Sequence, residues 1–279
     1  MTGKILFLTM LLAALSAPLS GGTAGAGAIP PGESGAKAAL ERSPRHHEWA
    51  DIAVPGKTGK VSAFVAYPER KDKAPVVIVI HEVYGLTDWI RAVADRLAGE
   101  GFIAIAQDFL SGRGPGGGGT ERFGSRDDVV KAVRELGRHD VVAMLDAVSR
   151  YGRGLPAAMG KFATVGFCWG GGQSFHYATA QPDLGAAVVY YGSSPDLEAL
   201  RTIRAPVLGL YGGDDARVNA TVGPAEGRMK GLGKTFLAHT YPGAGHGFLR
   251  AQDGRDGANL AAAEKAWPAT VEHLKKYLD

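Results

Sequence analysis

A chain of 279 residues, 45% hydrophobic and 21% charged, has enough apolar material for one large core, which excludes a disordered protein. Its formal net charge of +3 is spread along the chain rather than gathered into a basic run, which argues against nucleic acid as a partner. With a single cysteine, Cys168, no intramolecular disulfide can staple the fold.

In chain order, Lys4 precedes the apolar stretch Ile5 to Leu15, then small residues, Pro18 and Ala24-Gly25-Ala26. This pattern predicts a secretory signal peptide over 1–26 and a periplasmic or secreted mature protein. The apolar run is about half of the roughly 20 residues that a membrane span needs. No cysteine follows it to carry a lipid, so no membrane anchor is expected. Residues 27–48, rich in Gly, Pro and Ala, read as a linker or loose arm leading into one domain over 49–279. There, Lys60 to Tyr67 alternates as a strand does, and Pro75 to Ile80 is a β-branched run of the kind buried on both faces. Asp88 opens a helix with Ile90, Val93, Ala94 and Leu97 on one face, ending at Gly101. A strand at Phe102 to Ala106 is followed by the Gly-rich loop Ser111 to Gly119, read as flexible. Helical stretches near Val129 to Leu136 and Val141 to Tyr151 lead to a strand at Phe162 to Phe167 and a helix over Gly171 to Ala180. Strands at Ala186 to Tyr190, Val207 to Tyr211 and Thr235 to Tyr241 precede a last helix, Asn259 to Leu278. Such alternation implies an α/β fold, a mostly parallel central sheet with helices on both faces.

Ligands of open α/β sheets bind beyond the carboxyl ends of the strands, and the chemically promising residues fall there. Cys168 follows a strand, opens a helix and stands between Gly166 and Gly170, the thiol form of a nucleophile elbow. A lone cysteine is often only a small core residue, or an intermolecular bridge. Here, however, Gly212-Gly213-Asp214-Asp215 and Gly245-His246-Gly247 follow later strands, in the order nucleophile, acid, histidine. No Gly-x-Ser-x-Gly competes for the role, and no spacing of His, Cys and acidic residues suggests a metal site.

Five signatures together resemble the dienelactone hydrolase family of the α/β-hydrolase fold: Gly-Phe-Cys168-Trp-Gly-Gly, His81-Glu82-Val-Tyr-Gly, Gln107-Asp108-Phe-Leu, Gly-Gly-Asp-Asp215 and Ala-Gly-His246-Gly-Phe. The resemblance implies a Cys168, His246, Asp215 triad, with Asp214 the substitute for Asp215, and no cofactor. It implies that Glu82 pairs with the resting cysteine until substrate binding frees a thiolate. Backbone N–H groups of Val83 and Trp169 would hold the oxyanion. Arg250, and near the second family position Arg126, would bind a substrate carboxylate, a group that suits a guanidinium fork. The expected substrate is a small lactone or ester, opened through an acyl-cysteine. Export departs from the family's dienelactone chemistry, which leaves open a broader carboxylesterase or thioesterase on the same site, or a binding protein on a hydrolase scaffold.

Overall fold

The run Ala74-Pro-Val-Val-Ile-Val-Ile80 is buried at every position, with Val76, Ile78 and Ile80 in one apolar cluster and Val77 and Val79 in the other. Alternate side chains of one strand thus feed two cores, which is what a strand covered on both faces must do. It is β3 of a single sheet in a computed structural model that describes residues 28–57 and 59–279. The expected signal peptide at 1–26 lies outside the described residues.

The other strands are β1 (His47–Ala53), β2 (Lys60–Ala66), β4 (Ile103–Gln107), β5 (Ala158–Phe167), β6 (Ala186–Tyr190), β7 (Val207–Gly212) and β8 (Phe236–Tyr241). Their order is β1-β2-β4-β3-β5-β6-β7-β8. β1 and β2 pair antiparallel, as do β2 and β4, and every pairing from β4 through β8 is parallel. The chain passes from β3 outward to β4, then returns across β3 to β5. A crevice therefore opens at the carboxyl ends of β3 and β5, the switch point where such sheets bind ligands.

Helices α1 (Ala36–Glu41), α2 (Asp88–Gly99) and α7 (Ala258–Leu278) contribute to the cluster on one face. Helices α4 (Arg138–Gly154), α5 (Trp169–Ala180) and α6 (Ala216–Gly231) contribute to the cluster on the other. A short α3 (Arg126–Arg134) packs Val129 and Val133 against Leu110 beside the crevice. Each fully buried Val, Leu, Ile or Phe in these clusters contributes about 1.5–3 kcal/mol, so the two faces dominate stability. Among the described residues no helix is long and apolar enough to cross a membrane.

The structure corrects two expectations and adds a helix. Residues 28–48 are not a loose arm: they form a 3-10 turn at Glu33–Gly35, then α1, whose Ala36 is fully buried, and lead into β1. Polar contacts hold this segment. Ser43 Oγ, Arg45 Nε and Nη2, and His47 Nε2 all bond the Asp95 carboxylate of α2 at 2.6–2.8 Å. Burial alone would raise the pKa of Asp95, but these donors hold it well below the usual carboxylate range. Hydrophobic periodicity does not detect an anchor of this kind. The Gly-rich stretch is likewise tied at both ends rather than flexible throughout. Ser111 Oγ donates to Asp108 O at 2.6 Å, and the Asp108 carboxylate accepts from Thr120 N and Oγ1 at 2.6 and 2.7 Å. Helix α6 was not anticipated at all. Its buried Val218, Val222, Ala225 and Met229 keep helical spacing, but Gly223, Pro224 and Gly227 interrupt the pattern.

Candidate active site

Strand β5 delivers Cys168 into a backbone conformation that non-glycine residues seldom adopt, φ 56° and ψ −116°. The strain is held by close packing around it. A Cβ on Gly166 would lie 2.0 Å from the Gly170 carbonyl oxygen, and one on Gly170 would lie 2.3 Å from that of Ile80. Only glycine fits at either position, which explains the Gly-x-Cys-x-Gly spacing. The half-buried thiol opens α5 and meets the backbone N–H groups of Trp169 and Val83. Burial pushes its pKa up most, the Glu82 carboxylate pushes it further, and the two N–H groups and Arg217 only partly offset them. The resting group is therefore a thiol, held above its ordinary pKa.

The carboxyl end of β3 supplies the opposite wall. His81 is fully buried; the Phe109 N–H donates to its Nε2 at 3.3 Å, so Nδ1 carries the proton and donates to the Glu82 carbonyl at 2.7 Å. Burial lowers the pKa of this imidazole and keeps it neutral. Its ring stacks on Trp169 with centroids 5.5 Å apart, so one side chain fixes both segments that offer N–H groups to the sulfur. Glu82 is 2% exposed and accepts from Arg250 Nε at 2.6 Å. Burial lifts its pKa, Arg250 draws it back and Glu33 of the N-terminal segment pushes it up again, leaving it at about 7.

β7 and β8 supply the third wall. Asp215 caps α6 through Oδ1, which accepts from Val218 N at 3.4 Å, while its Oδ2 lies 2.5 Å from His246 Nδ1. That bond orients the ring with Nδ1–H toward the acid, leaving Nε2 to take a proton. After β6, Tyr191 has φ 39°, lies 5.1 Å from the His246 ring between centroids, and buries a hydroxyl without a hydrogen-bond partner. Its titratable neighbours include Glu82, Arg250 and Cys168. A groove of 780 Å³ opens elsewhere, between Trp49, Arg91, Asp108 and Met144, and neither Cys168, Asp215 nor His246 lines it.

With that arrangement in view, the family model described as "Dienelactone hydrolase family" matches residues 61–278. The chain belongs to the dienelactone hydrolase family. It is 32% identical over 247 residues to a Saccharolobus solfataricus protein named "Putative carboxymethylenebutenolidase", covering 78% of this chain and 94% of that one. A protein of the same name from Escherichia coli K12 is 30% identical over 238 residues, covering 81% and 86%. The crystal structure titled "Putative Dienelactone Hydrolase" from Klebsiella pneumoniae superposes with a TM-score of 0.71 at 29% identity, covering 83% of this chain and all of that one. The protein is thus a hydrolase of α/β-hydrolase fold, as its signatures suggest.

Within this family member, the nine expected site positions separate clearly. Cys168, Glu82, Val83 and Trp169 converge, and Asp215 bonds His246. Asp214 instead faces outward to Arg255, Oδ2 to Nη1 at 3.0 Å, which disfavours it as a substitute. Arg126 and Arg250 both lie over the Tyr84 ring, with Cζ 3.6 and 5.1 Å from its centroid. Both also bond Glu33, a residue of the segment that the sequence reads as a loose arm. His81 and Tyr191 were missed as well. His81 stood inside a quoted motif without a role, and for Tyr191 the Tyr190-Tyr191-Gly192 run after a strand end was the only signal. Among the described residues no group of three or more His, Cys, Asp and Glu is placed to hold a metal ion.

Proposed function

We propose that this protein is an exported hydrolase that opens a lactone or ester through an acyl-cysteine on Cys168. In the first half-reaction the Cys168 proton passes to His246 Nε2, and the thiolate attacks the carbonyl carbon to form a C–S bond. The resulting oxyanion takes hydrogen bonds from the Val83 and Trp169 N–H groups. As it collapses, the C–O bond breaks and His246 returns the proton to the leaving oxygen. Water, activated by the same imidazole, then releases the acid and restores the thiol. Asp215 keeps His246 in the working tautomer, and Glu82 keeps the thiol protonated until substrate arrives. The observation that carries this reading is the strained Cys168 elbow, whose sulfur meets the two N–H groups that a tetrahedral oxyanion would need.

The test is a panel of lactones, aryl esters and thioesters given to protein recovered outside the cytoplasm, whose first residue is determined and expected near 27. Rapid-quench mass spectrometry should find one acyl group on Cys168 during turnover of a preferred lactone or ester. Turnover without any acylated Cys168 would overturn the mechanism, and an intact Met1 on the recovered protein would overturn export by a cleaved signal.

A further inference from the structure

Glu33 is held over the mouth of the crevice by its own backbone. Its N–H donates to the Arg250 carbonyl at 2.9 Å. Just before it, the Pro31 carbonyl accepts from Trp89 Nε1 at 3.1 Å and the Pro30 carbonyl from Gln252 Nε2 at 2.8 Å. Just after it, Ala36 is fully buried. So placed, the Glu33 carboxylate bridges two guanidinium groups: Oε2 accepts from Arg250 Nη1 at 2.5 Å, and Oε1 from Arg126 Nη2 at 3.2 Å. Both guanidiniums lie over one tyrosine ring, Tyr84, which keeps them close together despite like charge. Arg250 also donates to Glu82, so the line Glu33, Arg250, Glu82 runs from the surface to the thiol.

Two arginines converging on one point form a fork-rich carboxylate receptor, and in this chain a carboxylate already occupies it. Once Glu82 is ionised, the two arginines face two carboxylates, Glu82 and Glu33, which leaves no surplus cation for a substrate anion. We infer that Glu33 is a built-in occupant of the Arg126–Arg250 pair that biases this enzyme toward uncharged esters and lactones, because a substrate carboxylate must first displace it. This rests on the hydrolase reading above, and names its substrate class. An acid-bearing substrate would have to outcompete a tethered group whose effective concentration is high.

The experiment compares the full chain with Glu33→Gln and Glu33→Ala, at an exposed side chain where substitution perturbs folding little. On a Cys168→Ala background, calorimetry measures glutarate affinity. In the active forms, kcat/KM is measured on 4-nitrophenyl hemiglutarate and 4-nitrophenyl butyrate. Removing the Glu33 charge should tighten glutarate binding by about fivefold, the upper end for a solvent-screened pair, and raise the anionic-to-neutral kcat/KM ratio by a similar factor, through KM. Unchanged glutarate affinity in both variants overturns the proposal. So does tightening that persists when Arg126→Ala and Arg250→Ala are added, since the ligand would then lie elsewhere. If neither ester is hydrolysed, the hydrolase reading fails while glutarate affinity still decides the role of Glu33.

Discussion

The Asp215–His246 pair and the Glu33–Arg250–Glu82 line both lead to the region of Cys168, yet they are built in opposite ways. The first uses two residues from the ends of adjacent parallel strands, joined by one bond of 2.5 Å. The second draws on the N-terminal segment, the end of β3, the start of α3 and the loop after β8, and links residues as far as 217 positions apart. One region orients a single imidazole. The other sets charge: it balances two arginines against two carboxylates and holds the thiol pKa up. Under the proposed mechanism, the comparison teaches that proton transfer would depend on local geometry, whereas resting reactivity and substrate charge would depend on an assembly that exists only in the folded chain.

The sharpest break between the two regions is expected at the pair itself. Cys168→Ala should remove hydrolysis by more than about a thousandfold without loss of fold, because the bond-forming atom is gone. Asp215→Asn should lower kcat by about a thousandfold or more through the wrong imidazole tautomer. Asp214→Asn, at an exposed ion pair with Arg255, should change kcat by less than about twofold. Steady-state kinetics on one ester checks all three, and equal losses in the two aspartate variants would dissolve the assignment of Asp215.

The charged line should respond in stability rather than in the chemical step alone. Arg250→Ala leaves the buried Glu82 carboxylate without its partner, a loss of about 2 to 4 kcal/mol when the carboxylate is ionised. The sign with pH follows from burial. The folded pKa of Glu82, raised from 4.5 to about 7, favours the protonated form, so this group's contribution is complete below 4.5 and is lost as pH rises through 7. The destabilisation of Arg250→Ala should therefore be small at low pH and grow above neutrality, and adding Glu82→Gln should recover most of it. Thermal melts of the single and double variants across that range check the prediction; a loss independent of pH would make Arg250 a packing residue.

How much of this was legible beforehand follows the same division. The parallel strands announce themselves as apolar runs, and Cys168, Asp215 and His246 each follow one with glycines beside them, so short-range pattern and chain order suffice. β1 was missed because an edge strand with only Ile52 buried lacks a continuous apolar signal. Glu33 was missed for a different reason. Its segment has few large apolar residues and takes its order from the Trp89 and Gln252 N–H groups that donate to its Pro31 and Pro30 carbonyls and from the Asp95 carboxylate that accepts from Ser43, partners on α2 and the loop after β8 that no local spacing encodes. His81 and Tyr191 act through stacking and burial against distant chain, contacts that appear only once the crevice has closed around them.

The central claim is that the Glu82 carboxylate, at the inner end of the charged line, adds to burial in holding the Cys168 pKa up. It is tested most directly by the pH dependence of iodoacetamide alkylation at Cys168 in the wild-type protein and in Glu82→Gln. Because the Glu82 charge raises the thiol pKa, the variant should alkylate with its midpoint at lower pH. Since Glu82 itself ionises near 7, the two rates should draw together below that pH and separate above it. Superimposable profiles for the two proteins would contradict the account, leaving burial alone to hold the thiol and the charged line no part in its reactivity.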